Sequence, residues 1–369
     1  MLIGKIKELI KKDAVLVAAV LLAVVSSFWH CPDWHCIDFE VLSVLLALML
    51  VVAGLKSIHF LDWLAVEMLN HCSSKLQMEC ALIGITYFSS MFVTNDVALI
   101  TFVPLAIVIG KTLKLDMART VIIQTMAANL GSMFTPPGNP QNLFLFAHYN
   151  YTTEHFFKVM AVPTLVSMAL LMLLLYRGHN RRLNLNLPAM AKPQLNLTCL
   201  YLGLLFLNIA AVLHCVDKYI ALGITIVCVL AVQRSLLKQV DYSLLVTFIG
   251  FFLFIGNISD SEAVNYIQRN LLGSAAGTYC AALISSQFIS NVPAAMLLAG
   301  LTKEADALLL GVNVGGLGTL IASMASVISY KLFCQDKPWL AGQYLKMFTF
   351  YNFAGLLLIG GIVYGLAIY

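Results

Sequence analysis

The chain has 369 residues, 60% hydrophobic and 11% charged, with a net charge of +4 and a mean hydropathy of +0.89. A soluble domain carries about 25% charged residues, so this composition excludes a soluble protein, and apolar runs along most of the length exclude a soluble domain with one anchor. Alternating strands of about ten residues are absent, which excludes an outer-membrane barrel, and the small positive charge sits in loops, where it reports orientation rather than nucleic-acid binding.

Residues 14–29 follow Lys5, Lys7, Lys11 and Lys12. That start suits a signal peptide, but no small-residue cleavage site follows, so the segment reads as a retained outward span with a cytoplasmic N-terminus. His30, Cys31, His35 and Cys36 fall in the next loop. They offer a metal site or a Cys31–Cys36 disulfide on one reading and an ordinary short loop on the other, and no matching ligand pair occurs elsewhere. Cys72, Cys80, Cys199, Cys228 and Cys280 sit in or beside apolar runs as small hydrophobes. Residues 39–55 return inward to Lys56, and 59–75, with Asp62, Trp63 and Glu67, predict a helix lying in the interface.

Two short apolar stretches, 80–93 and 97–110, flank Thr94-Asn95-Asp96. A re-entrant hairpin over 80–110 explains polar residues in the middle of an apolar stretch and leaves Lys111, Lys114 and Arg119 inside. Residues 120–129 and 141–149 are two halves of one crossing, interrupted by Gly131, Pro136, Pro137, Gly138 and Pro140, because such a proline run cannot continue a helix. Residues 156–176 run inward to Arg177, Arg181 and Arg182, and the polar stretch 178–194 divides the halves.

In the second half, 196–213 cross outward, 219–232 inward to Arg234 and Lys238, and 244–257 outward, with Asp260 and Glu262 solvated beyond that span end. A second hairpin, 277–301, turns at Ser290-Asn291-Val292, and a second broken helix, 305–333, is interrupted around Asn313 to Thr319. Residues 344–367 finish the chain.

The halves match. Aligning Asn129 with Asn313 puts Gly131 on Gly315 and Thr135 on Thr319, and Asp38-Phe39-Glu40-Val41-Leu42 resembles Asp241-Tyr242-Ser243-Leu244-Leu245. The expected fold is an all-α polytopic membrane protein of two inverted-topology repeats, each with a re-entrant hairpin and a broken transmembrane helix. The repeats span 1–182 and 215–369, joined by a linker and connecting span over 183–214. The trace gives about nine full crossings plus two hairpins. Inverted repeats with paired interruptions point to a transport site near the midplane.

Chemically, a hairpin tip presents the N-terminus of its second arm, with unpaired N–H groups and partial positive charge. First arms and broken helices present carbonyls, which suit a small cation. Thr94, Asn95, Asn139, Ser290, Asn291 and Thr319 are the candidate substrate ligands, as short hydroxyl and amide groups beside the breaks. Gly131, Gly138 and Gly315 allow close backbone approach. Asp96 is the ionisable residue of these motifs and the candidate for ion or proton coupling; its equivalent is Val292. With no lysine or arginine inside either signature, an anion would rest on helix dipoles and neutral donors. Met91, Met133 and Met324 read as packing, and His148 as interfacial.

On these residues the chain resembles the ion transporter superfamily: arsenical permeases, NhaD-type sodium/proton antiporters, and divalent anion:sodium symporters with citrate-transporter-like proteins. Thr94-Asn95-Asp96 and Ser290-Asn291-Val292 are similar to the family's Ser-Asn-Thr hairpin triplet, and Asn129–Leu145 to the Asn-(Ile/Leu)-Gly-Gly-x-x-Thr-Pro-x-Gly-(Asp/Asn)-Pro-x-Asn-Leu pattern of the arsenical-permease and NhaD branch. Ser90 and Ser286 match serines that help bind sodium in the dicarboxylate symporters, so the resemblance implies sodium at Ser90, Asn95 and Gly131 and at Ser286, Asn291 and Gly315. Asp96 and Val292 replace the threonines of dicarboxylate symporters, which moves the likeness toward the arsenical-permease branch. The resemblance implies a scaffold domain, an elevator-moving transport domain and a homodimer.

The resulting expectation is a secondary transporter of the inner or plasma membrane. It moves a small anion (an inorganic oxyanion or carboxylate) coupled to Na+ or H+, with no other cofactor and no ATP-binding loop. A Na+/H+ antiporter is the alternative. A membrane-embedded enzyme would need convergent His, Asp, Glu or metal ligands within spans, and the sequence offers none.

Overall fold

The computed structural model describes residues 14–28, 33–176, 182–183, 190–258 and 261–368. All regular elements among the described residues are helical. The first half contains α1 (Ala14–Ser26), α2 (Phe39–Ser57), α3 (Phe60–Asn70), α4 (Lys75–Val93), α5 (Asn95–Leu113), α6 (Ala118–Ser132), α7 (Pro140–His148) and α8 (Thr153–Tyr176). After these come α9 (Leu195–Val212), α10 (Lys218–Val232), α11 (Tyr242–Ile258), α12 (Glu262–Asn270), α13 (Ala275–Ile289), α14 (Asn291–Ala299), α15 (Ala305–Val314), α16 (Met324–Asp336) and α17 (Ala341–Val363). Six helical stretches among the described residues are long and apolar enough to cross a membrane.

Short polar side chains set where the helices begin, by accepting from N–H groups that the helix leaves unpaired. Asp38 caps α2 through Val41 N (3.0 Å), Asp217 caps α10 through Tyr219 and Ile220 N (both 2.9 Å), and Ser274 caps α13 through Gly277 N (3.1 Å).

Two sequence expectations are corrected. The arms of the first hairpin are not short: α4 and α5 have 19 residues each, and the break between them is Thr94 alone. Ser74 starts α4 ahead of the apolar run, and Glu79, just before that run, is buried in the helix because Thr120 donates to it (2.9 Å) and Arg119 lies 3.9 Å away. The second broken helix runs to Asp336 rather than 333, and Leu320–Ala322 form a 3-10 turn before it. Glu262 is exposed beyond the end of α11, as expected, and opens a further helix, α12, which Ser261 caps through Val264 N (3.3 Å). Cys31, Arg177, Arg181 and Asp260 lie outside the described residues, so the Cys31–Cys36 question and part of the basic cluster do too.

What makes α4 and α5 a hairpin is where their ends go. Thr120 ties the start of α6 to Glu79 near the start of α4. Only residues 114–117 separate the end of α5 from that same start of α6, so both arms open toward one end. The second hairpin closes through Thr302, whose hydroxyl meets Thr278 (3.0 Å) and donates to the Leu272 carbonyl (3.1 Å). Its open end is tied to the far end of the first broken helix, where Tyr149 donates to the Ala299 (3.2 Å) and Thr302 (3.0 Å) carbonyls. At the other end, Lys111 after the first hairpin pairs with Asp336 at the end of α16. The two hairpins therefore open at opposite ends of the broken helices.

The remaining helices pair crosswise. α1 packs on α11, and α10 and α9 pack on α2. Asn257 donates to Ser26 (2.9 Å) where α1 and α11 both end, and Lys218 pairs with Glu40 (2.6 Å) where α2 and α10 both begin. One apolar cluster runs through α1, α2, α6, α11 and α13–α15; a second joins α5 and α6 to Phe333, Tyr344 and Phe348.

Candidate functional site

The two hairpin tips have the same backbone. Thr94 adopts φ 72°, ψ 153° and Ser290 φ 72°, ψ 154°. This is a region that glycine occupies freely and that costs other residues about 1–3 kcal/mol, most of all a β-branched one. The strain lets a helix end at residue 93 or 289 and another begin one residue later in a new direction. Thr94→Gly and Ser290→Gly are each expected to stabilise the protein by about 1 kcal/mol, net of glycine's larger unfolded-state entropy. Thermal unfolding in detergent measures this, and an unchanged or lower midpoint for both would contradict it.

Behind each tip, a first arm lies against a broken helix at a glycine. A Cβ on Gly131 would fall on the Tyr87 carbonyl oxygen and 2.6 Å from Ser90 Oγ. One on Gly315 would lie 2.7 Å from the Gly311 oxygen and 2.9 Å from Ser286 Oγ. The predicted pairs Ser90–Gly131 and Ser286–Gly315 are thus brought together, each where two helices end. Carbonyls and the partial negative charge of helix C-termini collect there. The break threonines repeat the match: Thr135 donates to the Met91 carbonyl and Thr319 to the Gln287 carbonyl (2.8 Å), each three residues before a tip.

Amide side chains stitch the repeats together. Asn95 donates to Asn129 (3.1 Å), whose oxygen also accepts from Ser323 (2.9 Å) in the opposite repeat. Asn139 caps α7 through Asn142 N (2.8 Å) and reaches Asn313 (3.3 Å); Asn313 in turn donates to Asn142 (2.7 Å). Asn142 also covers the loose carbonyls of Met133 (2.9 Å) and Thr135 (3.1 Å) after α6. After α15 Gln287 does that work, donating to Gly315 (2.8 Å) and Leu317 (3.0 Å).

Two cavities meet here. One of about 140 Å³ is lined by Asn95 and Asp96 of α5, Pro140 and Gln141 of α7, Asn291, Val292 and Pro293 of α14, and Ser323 and Met324 at the start of α16. Four helix N-termini therefore face one chamber, each contributing unpaired N–H groups and roughly half a positive charge. A wider cavity of about 420 Å³ leads from Thr94, Asp96 and Asn139 past α2 to Lys56, Gln239 and Asp241. Asp96 and Asp241 line both cavities. The Asp96 carboxylate makes no ion pair among the described residues, while Asp241 caps α11 through Ser243 N (3.1 Å). At the opposite end of α2, His214 stacks on Phe146; burial, then Lys218, push its pKa down against the pull of Glu40.

Residues 2–328 match the family model described as citrate transporter. The chain belongs to the citrate transporter family. It is 32% identical to an uncharacterized transporter of Methanocaldococcus jannaschii over 86% of this chain and 83% of that one. It is 29% identical to the inner membrane protein YbiR of Escherichia coli over 79% of each. Among solved structures it is similar to the YdaH transporter of Alcanivorax borkumensis, with a TM-score of 0.49 at 14% identity over 89% of this chain and 86% of that chain.

Within this citrate transporter family member, the predicted ligands divide. Asn95, Asp96, Ser290 and Asn291 line the inner chamber, and Thr94 and Asn139 line the wider cavity. Thr319, Gly131, Gly138, Gly315, Ser90 and Ser286 line neither cavity. Thr319 spends its hydroxyl on Gln287 O and Ala322 N, and a Cβ on Gly138 would fall on the Ser132 carbonyl oxygen. Sequence reasoning missed Asp241, Gln141, Asn142, Gln287 and Ser323. Asp241 carried a signal, its match to Asp38; Gln287 carried none, because its repeat counterpart is Met91.

Proposed function

We propose that this transporter moves a small anion, an inorganic oxyanion or a carboxylate, coupled to Na+ or H+. The observation that carries the reading is the chamber at which four helix N-termini converge, with two matched, carbonyl-rich glycine contacts behind its tips. The N-termini favour an anion; the helix ends at Ser90–Gly131 and Ser286–Gly315 favour a small cation. Asp96 repels an anion in the same chamber until a proton or cation neutralises it, and that dependence is what coupling requires. Residue by residue, Asn95, Ser290 and Asn291 bind the anion, Thr94 and Asn139 serve its entry, and Asp96 couples.

The crosswise helices α1, α2 and α9–α11 act as the scaffold, and the hairpins with the broken helices act as the moving unit, elevator-fashion, in a homodimer. The ends bearing Lys56, Lys75, Lys111, Lys114, Arg119, Arg234, Lys238, Lys331 and Lys337 face the cytoplasm, by the excess of basic residues there. The wider cavity then opens inward, and the protein resides in the inner or plasma membrane.

A second reading, a Na+/H+ antiporter, is favoured by the two carboxylates that share both cavities. Proteoliposomes given sodium and pH gradients separately, with a panel of radiolabelled anions that includes citrate and arsenate, separate the two. The proposal expects one gradient to drive anion accumulation. Sodium–proton exchange with no anion uptake would overturn it in favour of the antiporter.

A further inference from the structure

Among the described residues, the charged side chains lining the two cavities are Asp96, Asp241 and Lys56. Asp241 holds Ser243 N (3.1 Å) and Leu244 N (3.3 Å) at the start of α11, and Asp96 has the coupling role given it above. Lys56 has no such task. It is exposed, its ammonium makes no ion pair among the described residues, and it lines the wider cavity but not the inner chamber.

Its place on α2 directs it at the cavity. Leu45, Leu48, Met49, Val52 and Ala53 line the wall, and Lys56 follows in the same steps of three and four residues, which trace one face of a helix. Helical side chains lean toward the helix N-terminus, so from the last turn of α2 Lys56 starts back along this wall rather than away from it. A lysine that served only to mark the cytoplasmic side could stand on any face of α2. The apolar wall beside it is poor in polar groups, which lengthens the reach of a charge.

Charge arithmetic gives Lys56 its role. With Asp96 ionised, the lining carries two negative charges and one positive; once Asp96 is neutralised, Lys56 offsets Asp241 and the inner route has no net charge. Without Lys56, an anion arriving from the cytoplasm meets Asp241 uncompensated. We propose that Lys56 is the anion-attracting residue of the cytoplasmic face: its ammonium draws the anion into the wider cavity on the way to the chamber. Lys56 lies on the inner route alone, so it sets affinity at that face alone. The inference rests on the anion-transport reading above.

Inside-out and right-side-out vesicles from cells expressing the protein present the two faces separately. Exchange of labelled citrate and arsenate is measured in each, with sodium and pH equal on both sides. Ionic strength is raised from about 20 to about 300 mM with choline chloride. At the lower value, Lys56→Gln is expected to raise the KM in inside-out vesicles about 5- to 10-fold, and most of that difference disappears at the higher value. In right-side-out vesicles its KM stays within about 2-fold of wild type, because the outer face does not present Lys56. Lys56→Glu raises the inside-out KM further, and Lys56→Arg, which keeps the charge, leaves it near the wild-type value. KM does not depend on how much of each variant folds.

An inside-out KM for Lys56→Gln equal to that of wild type overturns the proposal. So does a rise shared by both kinds of vesicle, or one that persists undiminished at the higher ionic strength, since a structural effect of the substitution would behave in those ways. If wild-type protein exchanges neither anion, the anion reading itself fails and this inference with it, a result distinct from unaltered KM values in a working exchanger.

Discussion

Asp96→Asn is expected to lose gradient-driven anion uptake by about 100-fold while still binding the anion. Asp96 occupies the first turn of α5, where the helix N-terminus and the Asn95 side chain orient its backbone and no cation pairs with its carboxylate among the described residues. Intramembrane carboxylates in this condition are costly and mark ion pathways. On the proposed anion reading, the chamber would hold its substrate well only when that charge is cancelled. Asparagine cancels it permanently, so substrate affinity is expected to hold or rise while the energetic link to the gradient disappears. The measurement is paired: counterflow exchange of labelled substrate with no gradient, and uptake against an imposed sodium or pH gradient. Exchange preserved with uptake lost is the expected pattern. Full gradient-driven uptake by Asp96→Asn would remove Asp96 from the coupling step, leaving Asp241, which shares both cavities, as the carboxylate to test next.

Much of this architecture was legible because the duplication is written in residues that physics restricts. A hairpin tip at Thr94 or Ser290 interrupts an apolar run with groups hydrocarbon does not tolerate, and Pro136-Pro137-Gly138 cannot be helical in the middle of a span. The pairing of Ser90 with Gly131 and Ser286 with Gly315 was implied by the family resemblance, not by the alignment of the halves. What the sequence did not disclose depends on three-dimensional partners. Glu79 lies just before the apolar run that marked the first arm, and its burial in that arm depends on Thr120 and Arg119, partners from another helix. Gln287 is one residue in an apolar arm with Met91 as its counterpart, so no repeat signal marks it, although it ties up two break carbonyls.

The crosswise pairing of α1 with α11 and of α10 with α2 gives the inverted repeat its mechanical meaning. Each repeat supplies two helices that pack on helices of the other repeat, so the helices proposed as scaffold are completed only by both halves. The stitched amides do the same for the breaks. Asn129 of the first repeat holds Ser323 of the second, and Asn313 of the second holds Asn142 of the first. A site made this way has its ligand groups on helix starts that lean on one another, which favours displacement as one body over rearrangement within it.

Gly131→Ala is expected to be more damaging than the matching change in the second repeat, Gly315→Ala. Its Cβ would coincide with the Tyr87 carbonyl oxygen, a backbone atom of α4 that cannot swing aside as a side chain would. α4 and α6 must separate, and with them go the Thr120–Glu79 and Asn95–Asn129 bonds at either end of the contact. Overpacking of this kind costs about 1–3 kcal/mol before the lost hydrogen bonds are added. Gly315→Ala meets Ser286 Oγ at 2.9 Å and the Gly311 oxygen at 2.7 Å, a milder obstruction. The expected order in thermal unfolding is therefore wild type above Gly315→Ala above Gly131→Ala, with transport falling faster than stability because both glycines stand behind the tips. If the two alanine variants unfold like wild type and transport at wild-type rates, α4 and α6 are not held at this distance in the working protein, and the cation-favouring role of these helix ends falls with them.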